Sequence, residues 1–225
     1  MPSSTVENYL KAIHHLGAKE GDVVAVGAIA EELEVTPGTV TTMMKHLGSR
    51  GLVEYLPRRG VRLTLSGREA AMRVLRRHRL VELFLVEVLG LDWAEVHEEA
   101  EVLEHVISDR LLARIDEMLG HPVADPHGSP IPDAQGRMPD LGGTSLAEVP
   151  PGKYLLVQVN EDEGGLLDWL AEHDLKPGVR FELVAHDCRG GVMELRLSGA
   201  EAVTRLGTVA ARHLLVAAEG QALEG

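Results

Sequence analysis

The stretch His97–His105 reads HEEAEVLEH and carries four side chains able to hold a divalent cation: His97, Glu101, Glu104 and His105. On a helix each residue turns by about 100°. With His97 at zero, that rule puts Glu101 near ~+40°, Glu104 near ~−20° and His105 near ~+80°, so the four share one stripe. Val96, Ala100, Leu103 and Ile107 fall on the neighbouring strip and would face a core. Imidazoles and carboxylates beside a buried seam suit a divalent cation, and the same pattern also fits a solvated acidic helix face. Upstream, His78 and Glu82 stand at i and i+4 among Leu75, Val81, Leu85 and Leu89. A His/Glu pair on an apolar face must be either mutually hydrogen-bonded or coordinated.

The elements that would position these groups follow from charge and periodicity. The 225 residues carry a net charge of −13, which argues against nucleic acid until its distribution is considered. Between Val40 and Leu80 ten Lys/Arg face only Glu54 and Glu69, a local excess of +8. A basic block inside an acidic chain is a localised electrostatic footprint. No run approaches the ~20 apolar residues of a membrane span, and the first residues lack a secretory pattern. Cys188 is the only cysteine, so neither an internal disulfide nor a thiolate metal cluster is possible within one chain. A cytoplasmic protein with no membrane partner is expected.

The basic block has a recognisable layout. Helices are expected over 4–17 and from Val26 to Leu33. A third, from a Thr36 N-cap and Pro37, runs to about Leu47 or Arg50. Its inner face is Val40, Met43, Met44 and Leu47, and its outer face is polar and cationic. A basic hairpin follows, with strands near Gly51–Tyr55 and Val61–Leu65 around Pro57–Gly60. This is a winged helix-turn-helix. Its third helix would enter the major groove of double-stranded DNA. Thr36, Thr39, Thr41 and Thr42 are sized for base edges or phosphates, and Lys45, Arg50, Arg58 and Arg59 would hold the backbone.

Ser66 and Glu69 form an expected capping box for a long helix reaching about Leu89, apolar on nearly every side beyond Leu80, as in a dimer interface. The HEEAEVLEH helix should start at Asp92 or Trp93, and a short amphipathic helix should run from Arg110 to Leu119. His121 to Pro151 holds seven of the eleven prolines and reads as a linker in which His121 and His127 face solvent. Alternating strands from Lys153 onward indicate a small barrel. The expected fold class is α+β: a winged-helix domain (1–72), a helical metal-binding and dimerisation domain (73–138), a Pro/Gly-rich linker (139–152) and an SH3-like β-barrel (153–225).

This order of elements, the segment HRLVELFLVEVLGLDWAEVHEEAEVLEHVISD and the GSPIP at Gly128–Pro132 resemble the diphtheria toxin repressor family, over nearly the whole chain. The resemblance implies a homodimeric, metal-dependent transcriptional regulator of metal homeostasis that binds palindromic operators. It implies a primary metal site of Glu101, Glu104 and His105, completed by Asn8. It also implies an ancillary site of His78, Glu82 and His97, to which Glu163 of the barrel is added. Iron-type members carry Cys where this chain has Glu101 and Met where it has Asn8, whereas manganese-type members carry Glu and Asp. An all-oxygen-and-nitrogen site favours Mn²⁺ over Fe²⁺, with Zn²⁺, Co²⁺ or Ni²⁺ able to bind in vitro. Lys11 stands where manganese-type members often place a second acid.

Two rival readings are a metal-independent winged-helix regulator with a ligand-binding barrel and a zinc hydrolase. For the latter, HEEAE and EVLEH each fall one residue short of a zinc-protease motif, with Glu101 where His is needed. The expectation is therefore not an enzyme.

Overall fold

The structure is a computed structural model and describes residues 3–17, 21–160, 165–187 and 190–220. The chain forms two compact units. The first comprises Met1–His78, Glu101–Asp109 and Pro132–Arg137; the second comprises Arg79–Ala100, Arg110–Ile131 and Met138–Gly225.

In the first unit, helices α1 (Ser4–Leu16), α2 (Val26–Glu32) and α3 (Pro37–Ser49) precede the hairpin of β1 (Val53–Leu56) and β2 (Gly60–Leu63). Ser3 and Thr36 cap α1 and α3, each side-chain oxygen accepting from a backbone N–H of the first turn. The apolar faces converge in one core. Val6, Leu10 and Ile13 of α1 and Ile29 of α2 pack with Val40, Met44 and Leu47 of α3 and with Val53 and Val61 of the wing. Any displacement of α1 is therefore felt by α3.

Helix α4 (Leu65–Glu87) starts one residue before the expected cap. Thr64, not Ser66, is the capping side chain: its Oγ1 accepts from Gly67 N at 3.1 Å. The position of Gly67 is fixed by contact, since a Cβ there would lie 1.9 Å from the Leu52 carbonyl oxygen. Leu80, Val81 and Leu85 are buried as expected, but Val88 (46% exposed) and Leu89 just past the helix end are not.

Helix α5 (Val96–Leu103) starts later and ends sooner than its periodicity indicates. Asp92 Oδ1 instead closes a turn by accepting from Ala94 N. Glu104 and His105 lie in the turn after Leu103, so the four-residue stripe on one continuous helix does not form. Helix α6 (Asp109–Met118) follows.

The second unit holds a six-stranded antiparallel sheet. Its strands are β3 (Thr144–Ser145), β4 (Gly152–Val159), β5 (Arg180–Asp187), β6 (Val192–Leu197), β7 (Thr204–Gly207) and β8 (Leu214–Ala218). They pair in the order β3-β8-β4-β5-β6-β7. Short helices α7 (Leu166–Glu172) and α8 (Thr208–Ala211) lie between strands. Register shifts between Leu156 and Gln158 and between Leu183 and Ala185 bend the sheet. Leu156, Phe181, Leu183, Met193, Leu195 and Leu214 fill its core, which Trp93 also joins.

The first part of the proline-rich stretch, through Ile131, is packed rather than solvated. His127 is 3% exposed, correcting the expected exposure. Asp125 Oδ1 accepts from His127 N at 2.8 Å and from Ser129 N at 2.9 Å, a side chain standing in for backbone. Gly128, at φ +82°, passes so close to β4 that a Cβ would fall 2.0 Å from the Val157 oxygen. His121 is exposed, with its ring 3.0 Å from Asp116.

Candidate metal centre

In the first unit Glu7 and Lys11 of α1 meet residues at and just after the end of α5. Glu104 is fully buried. Its Oε2 accepts from His78 Nδ1 at 2.6 Å, and the Lys11 ammonium donates to its two oxygens at 3.0 and 3.2 Å. Lys11 also donates to Glu101. Buried Glu7 accepts from His105 Nδ1 at 2.7 Å and from Arg77 Nη1 at 3.3 Å, while Arg77 Nη2 reaches Asp109 at 3.1 Å.

These contacts assign the His105 tautomer. A carboxylate only accepts, so Nδ1 carries a proton, and in the neutral ring Nε2 then presents its lone pair. His105 Nε2 lies 3.5 Å from Glu104 Oε1 without hydrogen-bond geometry. Among the described residues it and Asn8 Oδ1 are buried acceptors with no hydrogen-bond partner. A buried polar atom left unpaired is costly. An unpaired imidazole nitrogen beside Glu104 and an unpaired amide oxygen on α1 fit a divalent cation, because a cation satisfies lone pairs that no donor reaches.

A second cluster lies in the other unit. Glu82 Oε1 accepts from His97 Nδ1 at 3.0 Å. Ligand atoms of Glu82, Asp125 and His127, all buried, lie within 4.8 Å of one another. Arg79 donates to the Pro130 carbonyl, and its Nε is 3.5 Å from Asp125. Burial, and then the Glu82 charge, push the Asp125 carboxyl up to about 6, against the pull of Arg79 and His127. His127 Nε2 donates to the Trp93 carbonyl at 2.8 Å. His78, expected in the same set as Glu82 and His97, also hydrogen-bonds Glu104. Glu163 lies outside the described residues.

The proposed DNA contacts all fall on α3 and the wing. Thr36, Thr39, Thr42, Lys45, Arg50, Arg58 and Arg59 are exposed and Thr41 is half-buried. Thr41 and Thr42 donate back to the carbonyls of Pro37 and Gly38. Arg58 sits at the wing tip in the left-handed region, at φ 66°.

Residues 1–61 match the iron dependent repressor N-terminal DNA binding domain, and residues 64–133 match the iron dependent repressor metal binding and dimerisation domain. The diphtheria toxin repressor of Corynebacterium efficiens is 39% identical over 166 residues, covering 70% of this chain and 71% of that protein. The iron-dependent repressor IdeR of Mycobacterium tuberculosis is 34% identical over 213 residues, covering 89% of this chain and 91% of its own length. The chain belongs to the diphtheria toxin repressor family. A solved structure described as a manganese-dependent transcriptional repressor in complex with manganese superposes with a TM-score of 0.86 at 36% identity, covering 94% of this chain and 99% of that one. A second, described as the manganese-activated repressor ScaR in its apo form, gives 0.75 at 33% identity, covering 94% and 99%.

This chain is thus a metal-dependent transcriptional repressor of that family, whose members bind DNA and are not enzymes. No helix among its described residues is long and apolar enough to cross a membrane. In this repressor the sequence reading gave no site role to Glu7, Arg77, Asp125 or His127. Glu7 sits one position from Asn8 on a helix read for its apolar face. Asp125 and His127 lie in a segment without periodicity, and only the DPHGSP spacing, a carboxylate and an imidazole flanking a proline before a glycine, marked them.

Proposed function

We propose that this chain is a manganese-responsive repressor that binds a palindromic operator as a homodimer. The observation that carries the reading is the donor set of the first cluster. The oxygens of Asn8, Glu101 and Glu104 and the Nε2 of His105 form a hard site without thiolate, better matched to Mn²⁺ than to a thiophilic ion. His78 orients Glu104, and Glu7 fixes the tautomer of His105. Glu82 and His97, with Asp125 and His127, form a second set able to hold a cation.

A bound ion would supply the positive charge that draws these four donors together. Asn8 then joins α1 to the turn after α5. Because α1 shares its core with α3, fixing α1 fixes the recognition helix. Thr36, Thr39, Thr41 and Thr42 face base edges and phosphates, and Lys45, Arg50, Arg58 and Arg59 face the backbone. Exposed Val88, Leu89, Val102, Val106, Leu111 and Met118 supply apolar surface for a second copy. In such a dimer the two recognition helices meet half-sites about one DNA turn apart, or a multiple of it.

The test is operator binding by fluorescence anisotropy under anaerobic conditions, titrated with Mn²⁺, Fe²⁺ and Zn²⁺. Activation at the lowest free concentration by Mn²⁺ is expected. Equal DNA affinity with and without every metal would falsify the metal dependence, and activation by Fe²⁺ at lower concentration than Mn²⁺ would remove the manganese assignment.

A further inference from the structure

We propose that Lys11 is a tethered cation that competes with the sensed ion for Glu101 and Glu104 and so sets the metal concentration at which the repressor responds. The inference rests on the metal reading above and adds a residue that opposes it.

The contacts are those of a competitor. The Lys11 ammonium donates to Glu101 Oε1 and to both oxygens of Glu104. Glu104 also accepts from His78, so its lone pairs are shared between Lys11 and an imidazole. A metal ion needs lone pairs that Lys11 occupies.

Like charge gives the same answer: an ammonium and a divalent ion on the same carboxylate oxygens repel each other at contact distance, so one displaces the other. Arg77 is not the group to leave, because it is pinned between Glu7 and Asp109. The Lys11 side chain is 19% exposed and carries a strongly hydrated ammonium on a flexible stem, so it has a route to water. Occupancy of the acids by Lys11 lowers the apparent metal affinity by the fraction of chains in which the acids are available.

Mn²⁺ affinity would be measured by chelator competition on the full-length wild type and on Lys11→Met. Thermal unfolding of both would be followed in chelator and in saturating Mn²⁺. Lys11→Met should bind Mn²⁺ about tenfold tighter and unfold at lower temperature in chelator, with no loss of stability in Mn²⁺. Lys11→Arg keeps the charge on a planar fork suited to carboxylates; it should bind Mn²⁺ more weakly than wild type and remain stable in chelator. Equal or weaker Mn²⁺ binding by Lys11→Met would mean that Lys11 does not compete, and the proposal falls. Tighter binding by Lys11→Arg would overturn it as well, whatever the folding of the Met variant. If wild type and both variants bind no Mn²⁺, the metal reading fails with it.

Discussion

Each unit buries a cluster of carboxylates and imidazoles, and each neutralises it with a different cation. Around Glu104 the cation is Lys11, which touches only acid oxygens and has partial access to water. Around Asp125 it is Arg79, whose guanidinium also holds the Pro130 carbonyl and contacts Met138. An ammonium held by charge alone can be exchanged for another cation. A guanidinium that also satisfies backbone is part of the fold, and burial has already drawn its pKa below the ordinary arginine value. The comparison separates a cluster built to change its cation from one whose cation is a structural bracket.

The sharpest way to break that distinction is at Glu104. Replacing it with Gln removes the negative charge shared by Lys11 and His78, and one of its two acceptor oxygens, and leaves a largely buried ammonium short of a counter-charge. The expected cost is about 3 kcal/mol of stability in chelator, with metal affinity reduced ~100-fold. Urea unfolding and Mn²⁺ titration measure the two, and an unchanged Mn²⁺ affinity would place the sensing site elsewhere.

The second cluster should respond to protons. Asp125 has its pKa raised from 3.8 to about 6, so the fold favours its protonated form. That contribution is complete below the ordinary carboxylate value and is lost as pH rises through about 6. The loss amounts to up to about 3 kcal/mol over this window. Asp125→Asn keeps an oxygen for the N–H groups of His127 and Ser129 but removes the charge. In chelator, the stability of the wild type relative to this variant should fall between about pH 4 and pH 7. A pH-independent difference would mean that Arg79 neutralises Asp125 fully.

The smallest effect is expected at Lys176, whose ammonium lies 5.3 Å from the Trp93 ring centroid. Lys176→Met should cost about 0.5 kcal/mol without altering Mn²⁺ binding. A change in metal affinity would show that the sheet reaches the sensing cluster, and the two clusters would no longer be independent.

How far the sequence disclosed these clusters depends on whether local rules governed the residues. The winged helix was legible because Thr36, Pro37 and the Val40–Met44–Leu47 spacing act within one or two turns. Glu101, Glu104 and His105 were singled out by a helical wheel that does not apply past Leu103. They come together because the turn after α5 and helix α1 fold against each other. The wheel gives the face of a residue and not its partner, so Lys11 was seen as a missing acid and not as a cation on two acids. In the proline-rich stretch the backbone obeys no period. Its path is set by Asp125 capping two backbone N–H groups, by Gly128 against Val157 and by Arg79 on the Pro130 carbonyl, all contacts that spacing does not encode.

Trp93 gives this arrangement an optical consequence. Its indole is buried in the core of the sheet unit, its Nε1 has no hydrogen-bond partner among the described residues, and its ring lies 5.2 Å from that of His127. An indole in such a setting emits toward the blue, and a neighbouring imidazole quenches it by contact. The chain's other tryptophan, Trp169, is half-buried and stacks on His173 at 4.0 Å. The protein therefore carries its own spectroscopic gauge, in which the blue component of its emission follows the packing of Trp93 against His127.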